Sequence, residues 1–325
     1  MSARVRVPAY AKVNLSLLVL HKQPTGFHEL RTVLQTVSLT DRLDIEFTPG
    51  VRTNVEVASD TPIEGPNLAA SAADRVLEAL RIRGRVRIGL QKKIPMGAGM
   101  GGGSSDAAAV LLALPVMCGK AIEAGRLHDM AAALGSDVPF FLMGGTALGI
   151  GRGTELYPLA GPGPAPALMV KPEAGVATAG AYAALGRPVT ELTSPEALRK
   201  MKRFQLLAQV LDCPDAPETW KSLCENDFEA AVFPRHPELA QMARALRRLG
   251  AEMARMTGSG SALFALFRNG GERDAACVSI RERFPGARVE PIRLLSRGQY
   301  RAGWRRALGD RIEGKEWPPR GRNFS

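Results

Sequence analysis

Polar and apolar residues alternate with a period of two through most of the first sixty positions, as they do in half-buried strands. Residues 4–20 read as two strand-like runs broken near Ala11, and residues 30–38 and 42–57 as further strands. The pattern changes at Pro66-Asn67, a helix start followed by an apolar face of Leu68, Val76, Leu77 and Leu80. Alternation returns in Arg85-Val86-Arg87-Ile88-Gly89-Leu90-Gln91. Soon after come five glycines in the seven residues from Gly97 to Gly103. Ala107 to Leu114 are good helix formers, and Ser104 and Ser105 stand where N-caps belong. Residues 121–134 predict a helix stopped by Gly135. Ser136-Asp137-Val138-Pro139 opens another, Gly144-Gly145 ends it, and 146–150 returns to strand.

Gly161-Pro162-Gly163-Pro164-Ala165-Pro166 is the best linker candidate. Beyond it the pattern predicts a strand at 167–171 and helices near 179–185, 194–211, 217–224 and 237–249. Strands at 251–257 and 261–267 flank Gly258-Ser259-Gly260, and a helix at 272–283 and a strand at 287–295 follow. This divides the chain into residues 1–160, 161–296 and a basic tail, 297–325. The tail holds Arg297, Arg301, Arg305, Arg306, Arg311, Arg320 and Arg322 with Pro318-Pro319, and reads as an appendage. The mixed order of strands and helices predicts an α+β fold in both halves.

Composition narrows the function. At 325 residues the chain is long enough for two cores. No apolar run approaches the ~20 residues of a membrane helix, and the N-terminus has no signal-peptide apolar region. Cys118, Cys213, Cys224 and Cys277 form no CxxC pair, so reduced thiols and a cytoplasmic location are expected. The four histidines have no metal-ligand spacing. The formal charge of +11 suits an anionic substrate. Few aromatics interleave with the basic residues, which argues against nucleic-acid binding as the main function.

The glycine run supplies the candidate chemistry. Strand, glycine loop and helix together offer unpaired N–H groups and a helix dipole to a phosphate. No Gly-Lys-Ser/Thr closes the loop, as in the common NTPases, and no ribose-binding acid follows on a second strand. A plain turn is the other reading, but it needs only one or two glycines. Lys12 interrupts an apolar strand, and a lysine is seldom buried unpaired. Asp106 reads more readily as an acid favoured by the helix dipole than as a metal ligand.

Three separated motifs then agree. Ala9-Tyr10-Ala11-Lys12-Val13-Asn14-Leu15, the glycine loop, and Met256-Thr257-Gly258-Ser259-Gly260-Ser261-Ala262-Leu263-Phe264 resemble the motifs of the GHMP kinases, which phosphorylate small hydroxyl compounds with ATP. Gly26-Phe27-His28-Glu29-Leu30, Gly135 to Phe141 and Asn226-Asp227-Phe228-Glu229 resemble the branch whose acceptor is a cytidine-diphosphate-linked methylerythritol. The resemblance runs from about Ala9 to about Leu294. It implies a two-domain fold, an N-terminal ribosomal S5 domain 2-like domain and a C-terminal ferredoxin-like α/β-plait. It also implies ATP and Mg²⁺, with the protein a monomer or homodimer.

The resemblance assigns roles residue by residue. Asp137 would be the base and Lys12 its electrostatic partner, meeting over the substrate hydroxyl. Pro95, Met96, Gly97, Ala98, Gly99, Met100, Gly101, Gly102, Gly103, Ser104 and Ser105 would hold the ATP phosphates, with Asn67 and Lys92 near the adenine. Ser104 and Ser105 would also reach Mg²⁺ or cap the helix. Asn14, Phe27, His28, Tyr182, Gly258, Ser259 and Gly260 would bind the substrate. His28 would read the cytosine edge, and Phe27, where the family usually has Tyr, would stack on the base with Tyr182 opposite. Gly258-Ser259-Gly260 would hold the diphosphate with its amides, or be a plain turn. Another GHMP kinase, acting on homoserine, mevalonate or a sugar, is the competing reading.

Overall fold

The computed structural model describes residues 2–24, 26–63, 65–186, 195–213 and 219–321. Two very long antiparallel strands, β1 (Ala3–Lys22) and β2 (His28–Pro49), form its spine. The second edge of β2 is shared: β4 (Gly84–Gln91) pairs with its C-terminal half and β5 (Thr146–Gly151) with its N-terminal half. β3 (Asn54–Ser59) adds parallel to β4, and β6 (Glu155–Leu159) adds antiparallel to β5. Helices α1 (Leu68–Leu80), α2 (Gly102–Met117), α3 (Ala124–Leu134) and α4 (Val138–Met143) contribute to this lobe's apolar core.

The expected break near Ala11 is a pair of register shifts inside one unbroken strand. Pairing slips between Tyr10 and Lys12 and again between Asn14 and Ser16. Irregularities of this kind re-aim side chains, and these two bracket Lys12 and Asn14. Alternation is lost because residues 11–19 are buried throughout. The inner halves of β1 and β2 belong to a second core with Phe204, Leu207, Met169, Phe264 and Ile292 of the other lobe.

That lobe is a four-stranded antiparallel sheet of β7 (Pro166–Lys171), β8 (Met253–Met256), β9 (Leu263–Leu266) and β10 (Arg288–Arg293) in the order β10-β7-β9-β8. With α5 (Thr178–Leu185), α6 (Pro195–Leu211), α7 (Trp220–Leu223), α8 (Asp227–Val232) and α9 (Pro237–Arg248) between β7 and β8, and α10 (Gly270–Arg283) between β9 and β10, it has the ferredoxin-like succession. Position 194 and positions 217 and 218 of the expected helices lie outside the described residues. β6 and α8 were not foreseen, and positions 50–53 separate the expected 42–57 strand into the end of β2 and β3.

The basic segment after Leu294 differs most from expectation. It is not a loose appendage. Arg297–Leu308 forms α11, opened by a capping box between Ser296 and Gln299. Its Tyr300, Trp304 and Leu308 recur every fourth residue and are buried in the first lobe's core with Phe140 and Phe141. Four of the arginines, Arg297, Arg301, Arg305 and Arg306, take other positions of the helix. A short pairing of Ile312–Glu313 with Arg320–Gly321 closes the described chain, and Arg322 lies outside the described residues.

Candidate active site

Lys12 is 4% exposed, yet its Nζ is paired twice. It donates to Asn14 Oδ1 at 2.8 Å and lies 3.5 Å from Asp137 Oδ2. Asp137 occupies the N-cap position of α4 but makes no capping hydrogen bond there. Its backbone is already helical, which turns the carboxylate away from the helix amides. The acid therefore serves the lysine and the cavity in front of it. That cavity, about 340 Å³, is lined by Lys12, Asn14, Thr32, Ser104, Asp137, Arg152, Tyr182 and Ser259, among others.

The glycine loop lies on one side of this cavity. A second cavity of about 350 Å³ is lined by Asn67, Lys92, Pro95, Met96 and the run from Gly97 to Ser104. Gly99 and Ser104 border both cavities. The amide of Lys12 donates to Met100 O, tying strand to loop. The helix begins at Gly102, with Gly101 as a left-handed N-cap, so neither Ser104 nor Ser105 caps it. Ser105 donates to Tyr10 O at 2.7 Å. Ser104 sits at the third helical position, where its hydroxyl borders both cavities.

The loop is locked to the other lobe. A Cβ on Gly99 would lie 2.3 Å from Thr257 O, and one on Gly258 3.1 Å from Gly99 Cα. Asn14 joins the same knot: its Oδ1 accepts from Gly258 N at 3.0 Å, and its Nδ2 donates to Thr32 at 2.8 Å. Asn226 donates to the Met256 and Gly258 carbonyls, and Ser259 pairs with Thr178. Gly258-Ser259-Gly260 is therefore anchored as a turn. Ser259, and Gly258 with it, borders the central cavity.

Lys92 is nearby but committed. Its ammonium is buried between Asp41 and Asp106, 2.6 Å from the latter. Desolvation raises the Asp106 carboxyl to about 7 against the opposing pull of Lys92. Asp41 also accepts from the amides of Lys93 and Ile94, so the trio anchors the strand-to-loop turn. Asn67 caps α1 through Ala69 N and borders the loop cavity.

On the opposite side of Asp137 a cavity of about 570 Å³ is lined by Lys22, Phe27, His28, Arg152 and Tyr182. His28 stacks on Tyr182 with centroids 4.6 Å apart, and the Arg152 guanidinium lies 3.5 Å from the Phe27 ring centre. Phe27 and Tyr182, the two rings expected to flank the base, line the same cavity, Tyr182 against His28 and Phe27 against Arg152. Burial, with the charge of Lys22, lowers the His28 pKa, favouring the neutral ring that both donates and accepts. Arg152 was not anticipated. Leu30, Ser136, Arg152 and Tyr182 border both this cavity and the central one. Its flanking glycines, Gly151 and Gly153, both at positive φ, were the available signal.

Residues 67–145 match the family described as GHMP kinases N terminal domain, and residues 214–286 match GHMP kinases C terminal. A 4-diphosphocytidyl-2-C-methyl-D-erythritol kinase of Solibacter usitatus (strain Ellin6076) is 47% identical over 310 residues, 95% of each chain. The chain belongs to the 4-diphosphocytidyl-2-C-methyl-D-erythritol kinase family, within the GHMP kinases. A family member from Acaryochloris marina (strain MBIC 11017) is 36% identical over 87% of this kinase and 93% of its own length. A crystal structure of 4-(cytidine 5'-diphospho)-2C-methyl-D-erythritol kinase superposes with a TM-score of 0.72 at 36% identity, covering 90% of this kinase and 99% of that chain. A homoserine kinase from Cytophaga hutchinsonii ATCC 33406 has a TM-score of 0.69 at 22% identity, covering 89% and 94%, and shows the shared fold alone. Among the described residues no helix is long and apolar enough to cross a membrane.

Proposed function

We propose that this kinase transfers the γ-phosphoryl group of ATP to the 2-hydroxyl of 4-diphosphocytidyl-2-C-methyl-D-erythritol, in the non-mevalonate route to isopentenyl diphosphate. The observation that carries the reading is three cavities in series, with the Lys12–Asp137 pair in the middle one. The glycine loop borders one end, where backbone amides and the α2 dipole favour phosphates. His28 and Tyr182 border the other, where a neutral imidazole and two aromatic faces suit a pyrimidine. An acceptor spanning base to hydroxyl fits only if the hydroxyl reaches Asp137.

Asp137 takes the hydroxyl proton as the oxygen attacks the γ-phosphorus. The bond to the β,γ-bridging oxygen breaks and ADP leaves. Lys12 holds the carboxylate in place and offsets negative charge on the transferring group. Asn14 fixes the Lys12 ammonium, and Arg152 lies between the catalytic and base cavities as a cation for the acceptor diphosphate.

Among the described residues no cluster of three His, Cys, Asp or Glu could hold a metal. This fits a Mg²⁺ carried largely by phosphate oxygens and water. Ser104, bordering both cavities, is the protein oxygen that would hold it, and the ion would supply charge neutralisation. The reading places the kinase in the cytoplasm, as a monomer or homodimer.

The test is ADP release with ATP, Mg²⁺ and each of three acceptors: 4-diphosphocytidyl-2-C-methyl-D-erythritol, homoserine and mevalonate. Release with the first alone is expected, and release only with either of the others refutes the substrate assignment. Asp137→Asn should bind ATP but lose nearly all turnover.

A further inference from the structure

Helix α4, which begins at Asp137, is only six residues long. A helix this short cannot satisfy its own last carbonyls. Gly144 N donates back to Phe140 O, and side chains of the C-terminal segment serve the carbonyls that follow. Tyr300 Oη donates to Phe141 O. Trp317 Nε1 donates to Leu142 O at 2.6 Å. The Arg297 guanidinium reaches Gly144 O at 3.3 Å and Thr146 O at 2.6 Å.

The packing leaves no slack at this junction. A Cβ on Gly144 would lie 2.2 Å from the Tyr300 ring, and one on Gly145 2.7 Å from Arg297 Cβ. Those two glycines are the floor on which α11 rests, besides ending α4. Toward the site, the Phe141 ring would meet a Cβ on Gly101 at 2.9 Å, and Lys12 Cγ would meet it at 3.3 Å. One face of α4 thus contacts the glycine loop, while its carbonyl end is held by the C-terminal segment. From Asp137 to Leu142 is about 8 Å at the rise of an α-helix. Neither matching family region, 67–145 or 214–286, includes residues 297–321.

We propose that Arg297, Tyr300 and Trp317 are positioning residues: they cap the carbonyl end of α4 and thereby hold Asp137 in register with Lys12. The inference rests on the proposed role of Asp137. The segment acts through the helix and touches no substrate. Loss of the two neutral caps lets α4 shift or tilt at its far end, and a displacement approaching about 1 Å at a reacting group lowers turnover by up to about 100-fold. The glycine loop is also held by the Lys12 amide and by Thr257, so substrate binding changes little.

The experiment uses the full chain with Tyr300→Phe, Trp317→Phe and the pair together. Both remove the donor; Tyr300→Phe keeps the ring whole, while Trp317→Phe keeps an aromatic ring of smaller size. Expected for the pair is a fall in kcat of about 10–100-fold, with KM for ATP and for acceptor within threefold and ATP affinity by direct titration unchanged. In an Asp137→Asn background the same substitutions should cause no further fall, because their effect runs through that carboxylate. Wild-type kcat in a folded variant overturns the proposal. So does a loss of kcat that merely follows the unfolded fraction measured by thermal melting, or an undiminished effect in the Asp137→Asn background. If the pair does not fold, Trp317→Phe alone carries the same comparison. Absence of turnover by the wild type with the cytidine acceptor would instead refute the proposed function.

Discussion

Replacing Lys12 by Met should separate activity from stability, because the two respond to different parts of the same contact. The ammonium is 3.5 Å from Asp137 Oδ2. Unit charges at that distance interact by about 5 kcal/mol at an effective dielectric constant near 20. The Asp137 side chain is 37% exposed, and solvent screening cuts this to about 1–2 kcal/mol. Against it stands the desolvation of a lysine that is 4% exposed. Methionine fills nearly the same space without that penalty, and Asp137 can still reach water. Stability should therefore be unchanged or slightly raised. In the transition state the buried lysine faces developing phosphoryl charge. Removing one preorganised group there costs about 10²–10³ in kcat. The assay is steady-state ADP release paired with thermal melting and ATP titration. A kcat within fivefold of wild type would refute the electrostatic role. A melting temperature lowered by more than about 5 °C, roughly 3 kcal/mol for a chain this large, would show that the lysine holds the fold instead.

Gly99→Ala should disrupt the interlock with Thr257, since the new Cβ would meet backbone at 2.3 Å. Gly97→Ala, at φ +63° with open space around it, should cost only about 1–2 kcal/mol, and comparative melting with ATP titration tests the contrast. His28 has a lowered pKa, so it is neutral at pH 7 and gains its proton only below the ordinary imidazole range; acceptor KM should stay flat from pH 8 to 7 and rise in acid. A rise already complete at pH 7 would contradict the assignment. Asp106 is raised from 3.8 to about 7, so its ionisation opposes folding increasingly as pH climbs through that window. Asp106→Asn should gain stability relative to wild type between pH 4 and 8, whereas a pH-independent difference would refute it. Lys92→Met leaves Asp41 and Asp106 buried without their cation and should destabilise by about 3–5 kcal/mol, measured by urea unfolding.

The glycine loop and Lys12 were legible because their residue types state a chemical demand, glycines for close approach and a cation inside an apolar strand, whereas Asp137 was singled out only through the family resemblance. Partners far apart in the chain were not legible. Nothing in the spacing shows that Lys92 meets Asp41 fifty-one positions earlier and so has no free charge for a nucleotide. Ser104 and Ser105 looked like caps because sequence alone does not reveal that the glycines themselves begin the helix. The C-terminal segment misled through composition. Its arginines outnumber Tyr300, Trp304 and Leu308, yet those three, spaced by four, decide where the helix lies. The periodic signal and the Ser296–Gln299 box were both present and outweighed by charge. Alternation failed at Ala11 for another reason: a strand covered on both faces has no polar side to display.

The order of synthesis gives the Asn14 knot a further meaning. Asn14, beside Lys12, is synthesised long before Thr257 and Gly258, which bond to it from 243 and 244 residues further along the chain. Such contacts form late, because a long loop must close before they offer any stabilisation. The strand carrying Lys12 thus waits, half-built, for a segment made about 240 residues later. A truncated or stalled product would hold a glycine loop and a lysine but no assembled site. The Asn14 knot forms only in molecules whose synthesis has passed Gly258.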